Sequence, residues 1–460
     1  MTISQAAPPA VVPPSSVVAG AAPAPATRNG RRRMPPPVRL LVQTCVTLVA
    51  LVALCAATVV GALAVRSDAQ ELRDSSAHRA AAAAELRFSL ADLDAQRANQ
   101  LVPGYDPTDK NALVGNRLVA LITAHERRAE ISDLLRQLGG DDAHADQVRE
   151  LLDALGRYDD ASGRAAYLDE KEPDRAAGHP PKVALNFSAE AGEIMHSQLL
   201  PEASTLAKDY DEQAADAARA AKDTALRSAL TVGGLGLVTL LVLLWWQRDL
   251  ARRHRRLFNP ALVVATVAAL AVTVAGAVSF TSSAGDLESG VSEGLRPWSR
   301  LAQARAVAAE SAAAQSRWVV NDADPERRAE LDSLMKGLDG LLAPGTYASA
   351  AERPAYADVS TRYGHFRADD QKLREHMARG ELDGAVDILT NVGGGKVGFD
   401  FWDFATTLER LTQAQQADFA SRTSDARSEL DGWPAIPLGA LGLAAALVLV
   451  GVRPRLAEYR

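Results

Sequence analysis

At 460 residues and a formal net charge of −7, the chain has room for two to four domains and no overall charge that would mark a nucleic-acid binder. Its only cysteines, Cys45 and Cys55, both fall in the first apolar run, so no disulfide framework or cysteine metal site is available to the charged segments. Four runs, 40–65, 229–246, 261–280 and 435–452, contain no Asp, Glu, Lys or Arg, which excludes an ordinary soluble protein. Each has 18–26 residues, enough for a helix to cross a hydrocarbon core of about 30 Å.

In chain order, residues 1–39 hold prolines among Ala, Val and Ser without helical periodicity and read as a disordered tail. The first span, 40–65, is too long and too far from the start for a cleaved signal and is expected to stay in place. Segment 66–228 follows, then the second span at 229–246 and a basic loop at 247–260. The third span is 261–280, the second long segment 281–434, the fourth span 435–452, and the end 453–460.

Charge sorts these pieces into two groups. The tail, the short loop and the end carry 13 arginines, among them Arg248, Arg252, Arg253, Arg255 and Arg256, against Asp249 and Glu458 alone. Residues 66–227 hold 20 basic and 30 acidic side chains, and residues 281–433 hold 17 and 25. Arginine and lysine in short loops beside spans are retained in the cytoplasm. The expected topology is a multi-pass protein of the cell membrane with both termini and the 247–260 loop inside and both acidic segments outside. Trp245 and Trp246 sit where an interfacial aromatic pair belongs. A basic hairpin pinned at the bilayer is a poor reader of nucleic acid; it is an anchor on anionic headgroups and a candidate contact for a cytosolic partner.

The long segments are helical by pattern. Leu86, Leu90 and Leu93, then Val148, Leu152 and Leu155, then Leu199, Ala203, Leu206 and Tyr210, and finally Phe401, Phe404, Leu408 and Leu411 recur at steps of three and four. Breakers at 102–109, 139–146 and 172–182, and at 321–325, 343–354 and 391–398, cut each segment into four helices. The expected fold is an all-α membrane protein with four transmembrane helices and two extracytoplasmic antiparallel four-helix bundles, a tandem duplication. No proline lies between Val65 and Leu101 or between Leu206 and Trp246, so outer helices should continue into spans; Pro434 and Pro437 open the fourth span as first-turn prolines. Helices of roughly 35–45 residues would rise 50–65 Å and carry four turns, 102–109, 172–182, 321–325 and 391–398, far from the membrane. Tyr105, Asp106, Lys182, Asn391 and Lys396 on those turns are the candidate contacts for an outside partner.

Catalytic patterns are wanting. "GGGKVG" (393–398) has Val397 where a phosphate loop needs Ser or Thr, and reads as a helix–helix turn. No histidine pair has metal-ligand spacing, no nucleophile elbow occurs, and the paired aspartates 141–142 and 369–370 read as solvated faces. The expectation is no enzyme, no cofactor and no metal. Ala261, Ala265, Ala269 and Gly276, with Gly233 and Gly236, offer small surfaces for close helix packing, within the chain or in a homo-oligomer.

A four-helix bundle between two spans resembles the extracytoplasmic sensor domains of bacterial chemoreceptors and histidine kinases, including the "GELDGA" step (380–385) placed late in a third helix. Two such bundles, the basic inner loop, the Pro/Ala-rich tail and the stretch "LLPEASTLAKDYDEQ" (199–213) resemble the actinobacterial GlnX-type four-span membrane proteins. That resemblance, over residues 38–455, implies a non-enzymatic signal relay between a glutamate/aspartate-binding lipoprotein outside and a soluble Ser/Thr kinase inside. A direct small-ligand receptor with a pocket between bundle helices and a non-signalling envelope scaffold are the alternatives.

Overall fold

The computed structural model describes residues 36–105, 114–172, 174–254, 260–343, 352–391 and 393–457. Among them every regular element is helical. The order is α1 (Pro36–Glu71), α2 (Ala77–Asn99), α3 (Val114–Leu138), α4 (Ala145–Glu170), α5 (Lys182–Ile194), α6 (Leu200–His254), α7 (Pro260–Ser289), α8 (Arg296–Val320), α9 (Pro325–Leu341), α10 (Arg353–Ala378), α11 (Leu382–Thr390), α12 (Val397–Ser428) and α13 (Ala435–Ala457).

Four helices are long and apolar enough to cross a membrane, within Val38–Asn99, Lys182–Arg252, Pro260–Val320 and Ala435–Arg453. They make this a multi-pass membrane protein. In the apolar region α1, α6, α7 and α13 form a ring, α1 against α6, α6 against α7, α7 against α13 and α13 back against α1. Leu54, Ala62, Val232, Ala265, Ala269, Phe280 and Ala444 fill its centre, while Val49, Val60, Leu230, Leu237, Val267, Val278 and Leu443 point outward. An outward apolar belt is what helices need to face lipid. Polar side chains in the ring are tied down: Gln43 donates to Asp249, which also pairs with Arg39 at 3.1 Å, and Gln247 donates to Thr266 and to the Leu262 carbonyl.

Some small residues expected at helix contacts are there. A Cβ on Gly236 would stand 2.7 Å from the Thr273 Cβ, so α6 and α7 need glycine at this crossing; Gly233 has open space instead. The tryptophan pair splits. Trp245 faces outward, but Trp246 is fully buried in the ring, because neighbouring residues on a helix point about 100° apart. It belongs to the core and not to an interfacial belt.

Three of the four spans run without a break into the charged region, as helices of 62, 71 and 61 residues. Each contains one wide, π-helical segment: Leu72–Ser76, Met195–Leu199 and Gly290–Leu295. Pro201 and Pro297 follow two of them closely. A proline cannot donate to the carbonyl four residues back, here Ser197 and Glu293, and a wide turn is one way a helix absorbs that loss. The fourth connection is broken: α12 ends at Ser428, Gly432 takes φ +83°, and α13 starts afresh at Ala435. Trp433 in this turn is buried and donates to Ser279.

In the charged region α3 and α4 have 25 and 26 residues, fewer than the roughly 35–45 expected for the bundle helices, because the breakers at 102–109, 139–146 and 172–182 leave little more chain than that. The "GELDGA" stretch does not continue a third helix. Gly380 adopts φ +72° and starts a separate helix, α11.

Candidate functional site

The two halves of the charged region are joined along α2 and α8. Both are rich in alanine, which lets helix backbones approach closely, and α8 is buried on nearly every face. Three ion pairs cross the seam in the same chain direction: Arg305 with Glu85 at 2.9 Å, Glu310 with Arg87 at 3.2 Å, and Arg317 with Asp94. The rising order on both helices means that α2 and α8 run parallel.

Where α2 and α3 diverge from α8 and α12, a cleft of about 490 Å³ opens. On its α2 wall the Phe88 ring makes cation–π contacts with two guanidinium groups, Arg305 at 3.9 Å and Arg127 at 4.9 Å from the ring centroid. Each arginine is already held by carboxylates. Arg127 donates to Asp92 and Glu130, both at 2.7 Å. Burial alone would disfavour its charge, but Asp92 and Glu130 outweigh that and hold Arg127 above the ordinary arginine range. Arg305 binds Glu85 and approaches Glu409 at 3.7 Å. The α12 wall carries Phe401 and Trp402, and Trp402 is 60 % exposed although it lines the cleft. Val119 on α3 also lines the cleft and is about as exposed. Asn99, Thr123 and Thr406 also line the cleft, and among the described residues their side chains make no hydrogen bond.

Further along α2 lies a closed polar node. Asp94 and Arg317 have side chains 2 % and 6 % exposed. Tyr158 of α4 donates to Asp94, and His196, in the π-helical segment, places Nε2 3.2 Å from an Arg317 nitrogen and 3.5 Å from Glu330. Burial and the Asp94 charge push the Tyr158 hydroxyl far up, while burial pushes the Glu310 carboxyl up against the pull of Arg87. A cavity of about 10 Å³ beside this node, lined also by Arg97 and Gln100, is of a size for one water.

The candidate outside contacts are not free-standing. Tyr105 donates to Asp169, stacks under Arg117, and its N–H donates to the Arg175 carbonyl. Asp169 and Arg175 form a buried pair, and Arg175 donates to Pro103 as well. Gly104 is needed here, since a Cβ would meet the Ala177 nitrogen at 2.5 Å. Val102 and Ala177 then pack with Val386 and Ile388 of α11, so the turns of the first half touch the second half. Asn391 and Lys396 are brought together on Asp387, the lysine at 2.5 Å. Lys182 is exposed at the start of α5, apart from both groups. Asp106 lies outside the described residues. At the other end of the molecule Arg248 and Arg252 are exposed on the last turns of α6; Arg253 is on the same helix, and Arg255 and Arg256 lie outside the described residues.

The inter-half cleft and the node are the features that sequence reading missed. The ion pairs that join α2 to α8 link residues more than 200 apart, and no local pattern pairs them.

Residues 68–227 match the family model of the actinobacterial sensor domain. The matched stretch starts in the last turn of α1, covers α2 to α5, and ends in α6 where the apolar run begins. It supports a sensor-like protein of actinobacterial type. No curated protein and no solved structure matches the chain.

Proposed function

We propose that the chain is a non-enzymatic transmembrane relay that receives a cue outside the cell and passes it to an effector inside. The observation that carries this reading is continuity. α2 and α8, which meet at the cleft and the ion-paired seam, are direct extensions of the spans α1 and α7. A change in how α2 sits on α8 therefore has a stiff path to the membrane, by small pistons or tilts. The sensor-domain match over the first half supports the same reading. In it, both termini and the 247–260 loop are cytoplasmic, and the outer helices are two four-helix bundles derived by duplication. An amino-acid-loaded binding lipoprotein is the cue and a Ser/Thr kinase the effector.

The effector contact in this reading is the 248–256 arginine cluster, which is clamped between two spans and loses little freedom on binding. The test is capture of cytosolic partners by crosslinking on the full-length protein. Arg252→Gln with Arg253→Gln should insert normally yet capture less, and capture by the native chain should weaken with salt as exposed charges are screened beyond about 8–10 Å. Full capture by the double variant, with loss on deleting residues 1–30, would move the output to the tail. A second reading, direct sensing of a small molecule, is favoured by the 490 Å³ cleft.

A further inference from the structure

The cleft between α2, α3, α8 and α12 has a volume suited to a small molecule and not to a single water. Its charged side chains are already paired with one another. Arg127 is satisfied by Asp92 and Glu130, and Arg305 by Glu85 and Glu409. A carboxylate ligand would approach two guanidinium groups that already face four carboxylates, and an ammonium ligand would compete with those arginines for the same carboxylates, so a charged ligand gains little from this lining. What the lining does offer is neutral. Asn99, Thr123 and Thr406 have open hydrogen-bonding groups among the described residues, and Phe401 and Trp402 present aromatic surface. Trp402, 60 % exposed, and the exposed Val119 both line the cleft, so an occupant that covers both removes apolar surface from water.

We propose that this cleft is a binding site for a small uncharged molecule that carries an aromatic ring and one or two hydrogen-bonding groups. The ring stacks against Trp402 and Phe401, and the polar groups reach Asn99, Thr123 and Thr406. The proposal deepens the second, direct-sensing reading by naming the class of cue, and rests on it only for what binding does next. The walls belong to both halves, so an occupant bridges α2–α3 to α8–α12 and sets the width of the seam.

Three probes with one ring system and different charge test it: indole-3-acetamide, indole-3-acetate and tryptamine. Binding to the full-length protein in nanodiscs is measured by ligand-observed NMR and calorimetry, with empty nanodiscs subtracting partition into lipid. The neutral amide should bind at least tenfold tighter than either charged probe. Trp402→Ala, at an exposed position where folding is not at stake, should weaken it at least tenfold, and Ala405→Trp, which fills the cleft from α12, should abolish it. Helical content by circular dichroism confirms that both variants fold. No binding of the amide, a preference for a charged probe, or binding unchanged in both variants overturns the site. A disulfide-crosslinking readout between α1 and α6 separates the two levels. Binding without a change in crosslinking would leave the site standing and remove the direct-sensing reading, and a lipoprotein-driven change without probe binding would overturn the site and leave the relay reading standing.

Discussion

The Asp94–Arg317 pair is the sharpest point at which to break the seam between the halves. Both side chains are almost fully buried, and they come from α2 and α8, 223 residues apart. Burial works against the Arg317 charge, yet Asp94 more than compensates and raises the guanidinium above its usual range. In Arg317→Met the Asp94 carboxylate keeps only the Tyr158 hydroxyl at 3.2 Å and a distant His196 nitrogen at 3.9 Å. An unpaired buried charge of this kind costs about 3–5 kcal/mol. Removing both charges, Asp94→Leu with Arg317→Met, should recover most of that, less about 1–3 kcal/mol for the orphaned Tyr158 hydroxyl. Adding Tyr158→Phe removes the orphan, so the triple variant should lie within about 2 kcal/mol of the native protein. Hydrogen exchange of the α8 amides reads the effect at the seam itself. At about 1.4 kcal/mol per factor of ten, the single variant should exchange about 10²- to 4 × 10³-fold faster and the triple variant no more than about 30-fold faster than native. A single variant less than tenfold faster, or a triple variant as fast as the single, would refute the reasoning, since it would mean that the node is wet or that the seam opens elsewhere.

Gly236→Ala should loosen α6 from α7 by about 1–3 kcal/mol of overpacking in a detergent-denaturation titration, and adding Thr273→Gly should restore the contact because it removes the opposing Cβ. Asp400 on α12 is pushed up to about 6, first by burial and then by the neighbouring Asp369 carboxylate. Because the folded state then holds its proton longer than the unfolded chain, stability should fall as pH rises from about 4 to 6; Asp400→Asn should abolish that slope, so that the variant gains on the native protein above pH 6 and not below pH 4. For topology, single cysteines at Asp106, Asp174 and Lys396 in a Cys45/Cys55-free chain should react with an impermeant thiol reagent in intact cells and one at Asn259 should not; labelling at Asn259 alone reverses the orientation.

Helices were legible because a buried stripe repeats every three to four residues and turns need glycine or proline. Leu86, Leu90 and Leu93 are buried together, as are Leu199, Ala203, Leu206 and Tyr210. The same beat misplaced one side chain: Leu152 is 47 % exposed, and its neighbour Leu151 takes the inward position. Consecutive leucines leave the phase of a helix open by one residue. The seam was illegible for a different reason. Alanine is compatible with core and surface alike, so the Ala-rich α8 shows no stripe, although Ala304, Ala306, Ala308, Ala309 and Ala313 are all buried. Three of its charged residues, Arg305, Glu310 and Arg317, are buried against α2, and no local pattern marks them. Periodicity identifies the face a helix hides; it cannot say what covers that face.

That same seam constrains how a cue in the cleft would have to act. The halves are locked by charge pairs at three levels of α2 and α8, with apolar contact between the turns and α11 beyond them. A large separation would return the alanine faces of α2 and α8 and the apolar contacts of the turns to water, which opposes it. Sliding is different. Salt-bridge side chains are long and tolerate small axial shifts, and alanine faces present no deep knobs to block them. The two sliding helices are the ones continuous with α1 and α7, and α1 and α7 are on opposite corners of the membrane ring, each touching α6 and α13. An axial shift of α2 against α8 therefore becomes a shift of opposite corners. It is felt most directly by α6, which packs on both of those spans and carries Arg248 and Arg252 at its far end.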